Sequence, residues 1–321
     1  MKILVVGLGS MGQRRIRLLK KLDSTVDIIG IDTNAERRQY AADKYGIRLS
    51  SSLVDALKEK IDGAVICTSP TTHAAILKEL IEHHVIAFTE LNLVRDDYET
   101  FKQHDQEVFL SSTLLYRKDI QYVINKCQGQ RVNYIYHVGQ YLSDWHPWES
   151  YKDYFVNNKE TNGCRELFAI ELPWIVEAFG KVVDTSVVKD KITSLDIEYN
   201  DNFLVLLQHS NGTKGLLAVD VAARKAVRRL EVYSEQIHLF WDGTPQSLKD
   251  LDIQRGEFNS ISLYASIERD RNYSENIIED AYQDELYAYL EVIKNSNRNL
   301  VKYSFEKDDY ILSLIDKLEG V

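Results

Sequence analysis

The sequence predicts an α/β domain with a parallel sheet over residues 1–114, followed by an α+β domain with a large, mostly antiparallel open sheet over residues 115–321. Up to about residue 112, short apolar runs alternate with amphipathic stretches. Apolar strands that alternate with helices are typical of a parallel sheet covered on both faces. Beyond that point long period-two patterns appear, which are typical of antiparallel strands. A length of 321 residues also fits two domains.

Each element is predicted from its pattern. The apolar runs predict strands at 3–6, 28–31, 64–67, 85–88 and 108–110, with helices near 11–22, 34–44, 51–59, 71–83 and 95–103. In the second domain, strands are predicted within 132–142, 196–209 and 216–221, and helices at 163–179, 274–293 and 305–318. Asn211-Gly212 predicts a type I′ hairpin, and a second hairpin is predicted over 230–241.

A glycine motif lies at the first strand-to-helix junction. Gly7, Gly9 and Gly12 form G-x-G-x-x-G directly after the strand. The first glycine permits a tight turn, the second lets backbone approach a pyrophosphate, and the third lets helix pack on strand. Asp32 ends the second strand, where its carboxylate is placed to accept hydrogen bonds from ribose hydroxyls. The pattern predicts a Rossmann domain that binds a dinucleotide.

Asp32 favours NAD, because its carboxylate repels the 2′-phosphate of NADP. Arg37 and Arg38 follow closely and would accommodate that phosphate, so NADP stays an open alternative.

Bulk composition excludes several other classes of protein. A net charge of −10 without a long basic block argues against nucleic-acid binding. The three cysteines are far apart and show no zinc-ligand spacing, so we predict neither a disulfide framework nor a metal site. No apolar run is long enough to cross a membrane, and the amino terminus lacks the features of a signal peptide. We therefore expect a cytoplasmic protein.

Motifs along nearly the whole chain resemble the glucose–fructose oxidoreductase / inositol dehydrogenase (Gfo/Idh/MocA) family. They are VVGLGSMGQRRIRLL, CTSPTTHAAILKELIEHH, TELNLV, LLYRKDI and SFEKDDYILSLIDKL. The resemblance implies a Rossmann domain followed by an open sheet that mediates dimers or tetramers. It also implies NAD- or NADP-dependent chemistry on a hydroxyl of a sugar, inositol or nucleotide sugar.

The chain departs from this family at the positions that move protons. TELNLV takes the place of a Glu-Lys-Pro segment, so Glu90 matches while Leu91 and Asn92 replace the lysine and the proline. In an ungapped alignment, Leu167 and Ile170 occupy the positions of an aspartate and a histidine. A placed general base contributes roughly 10²–10⁴-fold to such a reaction, and leucine and isoleucine supply none.

Two segments offer replacements. In QYLSDWHPWESY, His146 titrates near neutrality and Trp145 and Trp148 offer faces to a sugar ring, unless the histidine is a surface residue and the tryptophans are packing. The predicted helix 163–179 carries Arg165, Glu166 and Glu171, and Pro173 is expected to kink it. Arg165 and Glu171 are the candidates there, the alternative being a structural ion pair. The predicted catalytic residues are therefore His146, Glu171 and Arg165.

The predicted cofactor contacts combine the glycine motif with positions that the resemblance places beside the cofactor. They are Gly7, Gly9, Ser10, Met11, Gly12, Asp32, Thr33, Arg37, Thr68, Ser69, His73 and Glu90. His73 has an alternative role as a helix-opening residue, and Asn92 is a further candidate for a hydrogen bond to substrate. Two functions remain open: a dehydrogenase or reductase with a relocated proton-transfer group, or a catalytically inactive NAD-binding sensor or structural protein.

Overall fold

The computed structural model describes residues 1–146, 149–267 and 276–321. Pro147 and Trp148, which belong to the predicted aromatic segment, lie outside the described residues. The chain divides into two compact units. The first contains Met1–Thr113 and Tyr282–Tyr310, and the second contains Leu114–Ala281 and Ile311–Val321.

The described part of the first unit contains a six-stranded sheet. Its strands are β1 (Lys2–Val6), β2 (Asp27–Ile31), β3 (Arg48–Leu49), β4 (Gly63–Ile66), β5 (Ile86–Thr89) and β6 (Val108–Leu110). All neighbouring strands are parallel, in the order β3-β2-β1-β4-β5-β6. The strand order reverses between β1 and β4, which are neighbours in the sheet. An α/β sheet binds ligands at such a point, beside the carboxyl ends of its strands.

The helices of this unit follow the predicted alternation. They are α1 (Ser10–Leu22), α2 (Ala35–Tyr45), α3 (Leu53–Ala56), α4 (His73–Glu82) and α5 (Tyr98–Gln103). The sequence predicts a second domain over residues 115–321, but residues 282–310 belong to the first unit. The Tyr289 hydroxyl lies 2.9 Å and 2.8 Å from the carbonyl oxygens of Ala64 and Ile86, and its ring packs on Phe88. The apolar face of this helical segment therefore covers the parallel sheet.

The second unit contains an eight-stranded sheet in its described residues. Its strands are β7 (Asn133–Gly139), β8 (Val182–Asp190), β9 (Asn202–His209), β10 (Lys214–Asp220), β11 (Val227–Tyr233), β12 (His238–Trp241), β13 (Lys249–Asp252) and β14 (Glu257–Ser260). The order is β14-β13-β12-β11-β7-β10-β9-β8, and only the β7–β10 pair among them is parallel. The predicted mostly antiparallel sheet is confirmed.

Four helices complete the described elements: α6 (Lys118–Cys127), α7 (Gly163–Phe179), α8 (Glu279–Asn295) and α9 (Phe305–Glu319). Helix α7 packs on β9 and β10 and continues as one element through Pro173. The inward residues of β9 are buried, whereas Leu204 and Leu206 on its other face are 54% and 37% exposed. One face of the sheet is thus covered by α7, and no described residue covers Leu204 and Leu206 on the other. No helix in the described residues is long and apolar enough to span a membrane.

The predicted type I′ turn at Asn211-Gly212 is wrong. Gly212 has φ +84°, but Asn211 is not among the residues with positive φ, and a type I′ turn requires both. The loop instead has Gly212 N donating to the His209 carbonyl oxygen and His209 N donating to that of Thr213, at 2.9 Å each. The connection is therefore a three-residue hairpin loop with a glycine bulge. An Asn-Gly pair can form this loop type as well as a type I′ turn.

Candidate functional site

Two of the three motif glycines are required by the fold itself. A Cβ on Gly7, which has φ +93°, would lie 2.6 Å from the Cys67 carbonyl oxygen, and one on Gly12 would lie 1.9 Å from that of Gly7. Gly9 is different, because the nearest atom to its Cβ position is Arg37 Nη1 at 3.6 Å. We call the open space above Gly9 the cradle. Any side chain at this position would fill it, and a bound pyrophosphate requires it.

The amino terminus of α1 adjoins this cradle. Gly9 is the N-cap residue and offers no side-chain hydrogen bond, and the first turn, which includes Ser10, Met11 and Gly12, contains no acidic residue. The positive end of the helix dipole therefore has no carboxylate against it within the first turn, as phosphate binding at a helix terminus requires.

Asp32 is held in place by two backbone N–H groups. Leu8 N donates to its Oδ2 at 2.7 Å and Asn34 N donates to its Oδ1 at 2.8 Å. Each carboxylate oxygen retains a lone pair for a ribose hydroxyl. Arg38 Nη1 donates to the carbonyl oxygens of Asp32 and Thr33, so Arg37 is the arginine beside the glycine loop. These residues fit NAD.

Replacing Asp32 by serine is expected to reduce the preference for NAD over NADP. We expect the wild type to bind NAD at least about tenfold tighter, since the carboxylate repels a 2′-phosphate, and the variant to lose most of that ratio. Calorimetric dissociation constants for both cofactors measure it, with Asp43→Ser on the exposed side of α2 as the control. An unchanged ratio in Asp32→Ser would contradict this role.

Thr68, Ser69 and His73 follow β4, but the imidazole of His73 is hydrogen-bonded within the protein. It is 2% exposed; Nε2 lies 3.1 Å from the Thr68 carbonyl oxygen and Nδ1 lies 2.8 Å from Asn92 Oδ1. Burial lowers its pKa, so the neutral ring is favoured. Both ring nitrogens have partners among the described residues, and His73 therefore orients the Thr68 backbone instead of presenting a nitrogen to a ligand.

The side chain of Asn92 is also hydrogen-bonded within the protein. Its side chain is buried and hydrogen-bonded to Tyr98 as well as to His73. Tyr98 in turn donates to Asp308, to which Tyr303 donates at 2.8 Å. Burial, with the Asp308 charge, raises the pKa of Tyr98 and keeps the phenol protonated. The expected hydrogen bond from Asn92 to substrate is not supported by this geometry.

Glu90 anchors a buried arginine. Arg15 is 0% exposed and donates to Glu90 through Nε at 2.5 Å and Nη2 at 3.1 Å. Its Nη2 also contacts Glu285 at 2.8 Å, and its guanidinium lies 4.6 Å from the Phe88 ring centre. Burial opposes the charge on Arg15, but the carboxylates of Glu90 and Glu285 raise its pKa. Glu90 fixes the start of the Glu90–Asn92 segment by this ion pair.

In the second unit, Arg165 and Glu171 occupy structural ion pairs. Arg165 contacts Asp316 at 2.8 Å and also Glu319. Glu171 is fully buried and accepts hydrogen bonds from Arg228 Nη2 at 2.6 Å and from Tyr136 Oη and Trp174 Nε1 at 2.7 Å each. The structural alternative fits both residues, and we do not retain them as catalytic candidates.

His146 lies in a different setting. Its ring centre is 4.9 Å from that of Tyr154, and its Nδ1 is 3.9 Å from Glu149 Oε2. The side chain is 28% exposed. The Glu166 charge acts on Tyr154 as well, so four titratable groups lie together here. We call His146, Glu149, Tyr154 and Glu166 the titratable cluster.

Glu166 is not among the catalytic residues that the sequence predicts. Its Oε2 is buried and has no hydrogen-bond partner among the described residues. Burial raises the pKa of Glu166 from 4.5 to about 7. The sequence signal was a glutamate in the first turn of an apolar helix, one residue before the aligned Leu167. That signal resembles an ordinary helix-start residue, so only the structure distinguishes it.

Replacing Glu166 by glutamine is expected to stabilise the protein at high pH. The folded state favours the protonated carboxyl, so its stabilisation is fully present below pH 4.5 and is lost as the pH rises through about 7. We expect the free energy of unfolding of Glu166→Gln to exceed that of the wild type by roughly 1–3 kcal/mol at pH 8, with the difference shrinking toward pH 5. Urea unfolding at both pH values measures it. A difference that does not change with pH would contradict a buried, protonated Glu166.

Comparison with known proteins agrees with the cofactor geometry. Residues 1–104 match the model of an oxidoreductase family with an NAD-binding Rossmann fold. No curated protein sequence matches the chain.

Solved structures share the fold of the whole chain. A UDP-N-acetylglucosamine 3-dehydrogenase from Acidithiobacillus ferrooxidans is 17% identical with a TM-score of 0.77, covering 100% of this chain and 97% of that one. A myo-inositol dehydrogenase from Corynebacterium glutamicum is 16% identical with a TM-score of 0.76, covering 99% and 95%. An oxidoreductase from Agrobacterium radiobacter, in complex with NAD+, L-tartaric acid and magnesium, is 14% identical with a TM-score of 0.81, covering 100% and 96%. The resemblance found in the sequence is confirmed by the Gfo/Idh/MocA family model, which residues 1–104 match, and the whole chain shares the fold of these solved structures.

Proposed function

We propose that the protein is an NAD-dependent oxidoreductase that acts on a hydroxyl of a sugar, inositol or nucleotide sugar. The first unit supplies the open space at Gly9, the uncapped α1 terminus and the fixed Asp32 carboxylate. Bound NAD supplies a hydride acceptor. The observation that favours an enzyme is the titratable cluster in the second unit, because buried groups with perturbed pKa values concentrate at functional sites.

The chain's own residues have separable tasks in this proposal. Asp32 accepts hydrogen bonds from the ribose, and the α1 terminus binds the phosphates. His146 and Trp145 provide an imidazole and an aromatic face for a polyhydroxylated ring. Arg165 and Glu171 hold α7 in place through their ion pairs.

The proposal is tested by NADH formation with two probes, myo-inositol and UDP-N-acetylglucosamine, which are named for proteins of similar structure. We expect turnover with at least one probe and a loss of tenfold or more in kcat/KM for His146→Ala. His84→Ala, at a side chain 87% exposed, is the matched control and should retain full activity. Equal activity of both variants would remove His146 from the proposal.

The alternative is an NAD-binding sensor or structural protein without turnover. The observation that favours it is the apolar character of Leu91, Leu167 and Ile170 at the positions where the family handles protons. Leu167 is 8% exposed and packs in the core of the second unit. Tight NAD binding with no NADH from either probe would favour this alternative.

We also propose that the open face of the eight-stranded sheet binds a second copy of the chain, giving a homodimer or homotetramer. Paired neighbours Ile135, Leu216 and Leu206 form an apolar row across β7, β10 and β9 and are 45%, 52% and 37% exposed. Contiguous exposed apolar surface of this kind marks interaction sites. The three free cysteines, at distant positions, fit the reducing cytoplasm that we propose as its location.

Replacing Leu216 by aspartate is expected to dissociate the oligomer, because the charge would be buried unpaired in an apolar interface. Light scattering during size-exclusion chromatography measures the mass. Val54→Asp, at a position 62% exposed in the first unit, controls for the added charge. A Leu216→Asp variant with the mass of the wild type would contradict the proposed interface.

A further inference from the structure

One segment of the second unit, Tyr151–Thr161, is held mainly by its own backbone, and we call it the strap. It consists of three 3₁₀ turns: Tyr151–Asp153, Phe155–Asn157 and Lys159–Thr161. The backbone N–H groups of Asn157 and Asn158 donate to carbonyl oxygens three residues earlier, at 3.1 Å and 3.0 Å. Val156 and Thr161 are buried, and the remaining residues of the strap are half-buried or exposed. Segments with local hydrogen bonds and few buried side chains open at a low cost in free energy.

A buried tyrosine ties the strap to the start of α7. The Tyr199 hydroxyl donates to the Val156 carbonyl oxygen at 2.8 Å and accepts from Gly163 N at 3.4 Å. Asp196 forms a second link, from its N–H to Tyr151 Oη at 3.1 Å, at an exposed position. Because water competes for exposed hydrogen bonds, the Tyr199 bridge is the stronger of these links.

The closed strap leaves two polar atoms unsatisfied. Tyr154 Oη, on the strap, and Glu166 Oε2, in the first turn of α7, are buried without a hydrogen-bond partner among the described residues. The Phe155–Asn157 turn packs against α7, and the Glu166 charge acts on the Tyr154 phenol. An unpaired buried polar group costs free energy that hydration removes. Opening of the strap hydrates both atoms, so the closed state is poised to open.

The protonation state of Glu166 adds a dependence on pH. The titratable groups around Glu166 and its two neighbouring tyrosines are Tyr154, Tyr199, Cys164, Asp201, Glu149 and His146. Burial raises the pKa of Glu166 from 4.5 to about 7 while the strap is closed. Because this pKa is higher in the closed state, protonation stabilises closure fully below pH 4.5, and that stabilisation is lost as the pH rises through about 7.

We propose that the strap is a pH-sensitive lid over the start of α7, closed when the Glu166 carboxyl is protonated and opened when it ionises. An ionised carboxylate requires water at the buried Oε2, and water reaches this atom when Tyr154 moves away with the strap. The Tyr199 bridge resists that movement and sets how readily the strap opens. The inference goes beyond the proposed function, because it concerns the second unit alone and requires neither NAD nor turnover.

Hydrogen–deuterium exchange of strap peptides, measured by mass spectrometry, tests the pH dependence. Wild type and Glu166→Gln are compared at the same pH, so that the intrinsic exchange rate cancels. We expect the ratio of strap exchange, wild type over variant, to rise roughly tenfold per pH unit between about pH 5 and 7 and to level off above 7. Glu177→Gln, the same chemical change on the same helix, should exchange like the wild type. A ratio that stays constant from pH 5 to 8 would overturn the proposal.

Two tyrosine variants test the geometry at a single pH. Tyr154→Phe removes an unpaired buried hydroxyl, so its strap should exchange more slowly than that of the wild type, by about fivefold or more. Tyr199→Phe removes the bridge to Val156, so its strap should exchange faster by about fivefold or more. Tyr287→Phe, at a tyrosine 49% exposed in the first unit, is the control and should leave strap exchange unchanged. Equal strap exchange in the wild type, Tyr154→Phe and Tyr199→Phe would contradict the proposed lid.

Exchange in β9 distinguishes opening of the strap from unfolding of the unit. The inward residues of β9 are buried, so its amides should stay protected in every variant whose strap alone opens. If Tyr199→Phe also loses protection in β9, Glu166→Gln and Tyr154→Phe still test the lid, because both relieve the closed state. Strap and β9 amides that exchange together in the wild type at every pH would show that the unit opens as a whole, and the lid would be overturned.

Discussion

Replacing Arg15 by methionine is expected to lower the free energy of unfolding by roughly 3–5 kcal/mol. Arg15 is fully buried between Glu90 and Glu285, and the side chain of Glu285 is also fully buried. Methionine retains much of the volume but leaves two carboxylates in the interior without their cation. Removing one partner from a buried ion pair is costly because the remaining charge is uncompensated. Urea unfolding at neutral pH measures the loss.

Arg48→Met is the matched control for this prediction. Arg48 also contacts two carboxylates, Asp27 at 2.7 Å and Glu59 at 3.1 Å, but it is 48% exposed. Exposed ion pairs contribute about 0–1 kcal/mol, so the control should lose little stability. Equal losses in the two variants would mean that burial does not set the strength of the Arg15 network.

Gly9→Ala is expected to weaken NAD binding, whereas Gly12→Ala is expected to destabilise the fold. At Gly9 the added Cβ meets only Arg37 Nη1 at 3.6 Å, so the protein should fold with nearly unchanged stability. The Cβ would occupy the space that the pyrophosphate approaches, and NAD affinity should fall by about 100-fold. At Gly12 the Cβ would lie 1.9 Å from the Gly7 carbonyl oxygen, so backbone must shift and roughly 1–3 kcal/mol or more of stability is lost.

Calorimetry with NAD and urea unfolding of both variants separate the two effects. Gly46→Ala changes a glycine with open space around it but φ +57°, and it controls for the general cost of replacing a loop glycine. If Gly9→Ala binds NAD like the wild type, the pyrophosphate does not lie over this residue.

The cofactor half was predictable because its signal is local. Gly7, Gly9, Gly12 and Asp32 lie within one strand–helix–strand unit, and the chemistry of each depends on its immediate neighbours in sequence. The pattern of residues 282–293 was equally clear as a helix, but a periodic apolar face does not say which sheet it covers. Contacts of Tyr289 with Ala64 and Ile86 determine that, and they join residues more than 200 positions apart.

The roles of the second-unit glutamates were less predictable because they depend on distant partners. Glu166 and Glu171 are on the same helix and look alike in sequence. Glu171 is neutralised by Arg228, which is 57 residues away, whereas Glu166 Oε2 has no hydrogen-bond partner in the described residues. Leu91 stands where the resemblance implies a lysine, and it identifies no replacement.

A single-turnover experiment tests the central claim most directly. Protein, NAD and either myo-inositol or UDP-N-acetylglucosamine are mixed in stoichiometric amounts, and NADH absorbance is recorded across the pH range 5–9. We predict NADH formation with at least one probe, reduced tenfold or more in His146→Ala. NAD that binds stoichiometrically but is never reduced, with either probe and at any pH, would contradict the account and leave an NAD-binding protein without hydride transfer.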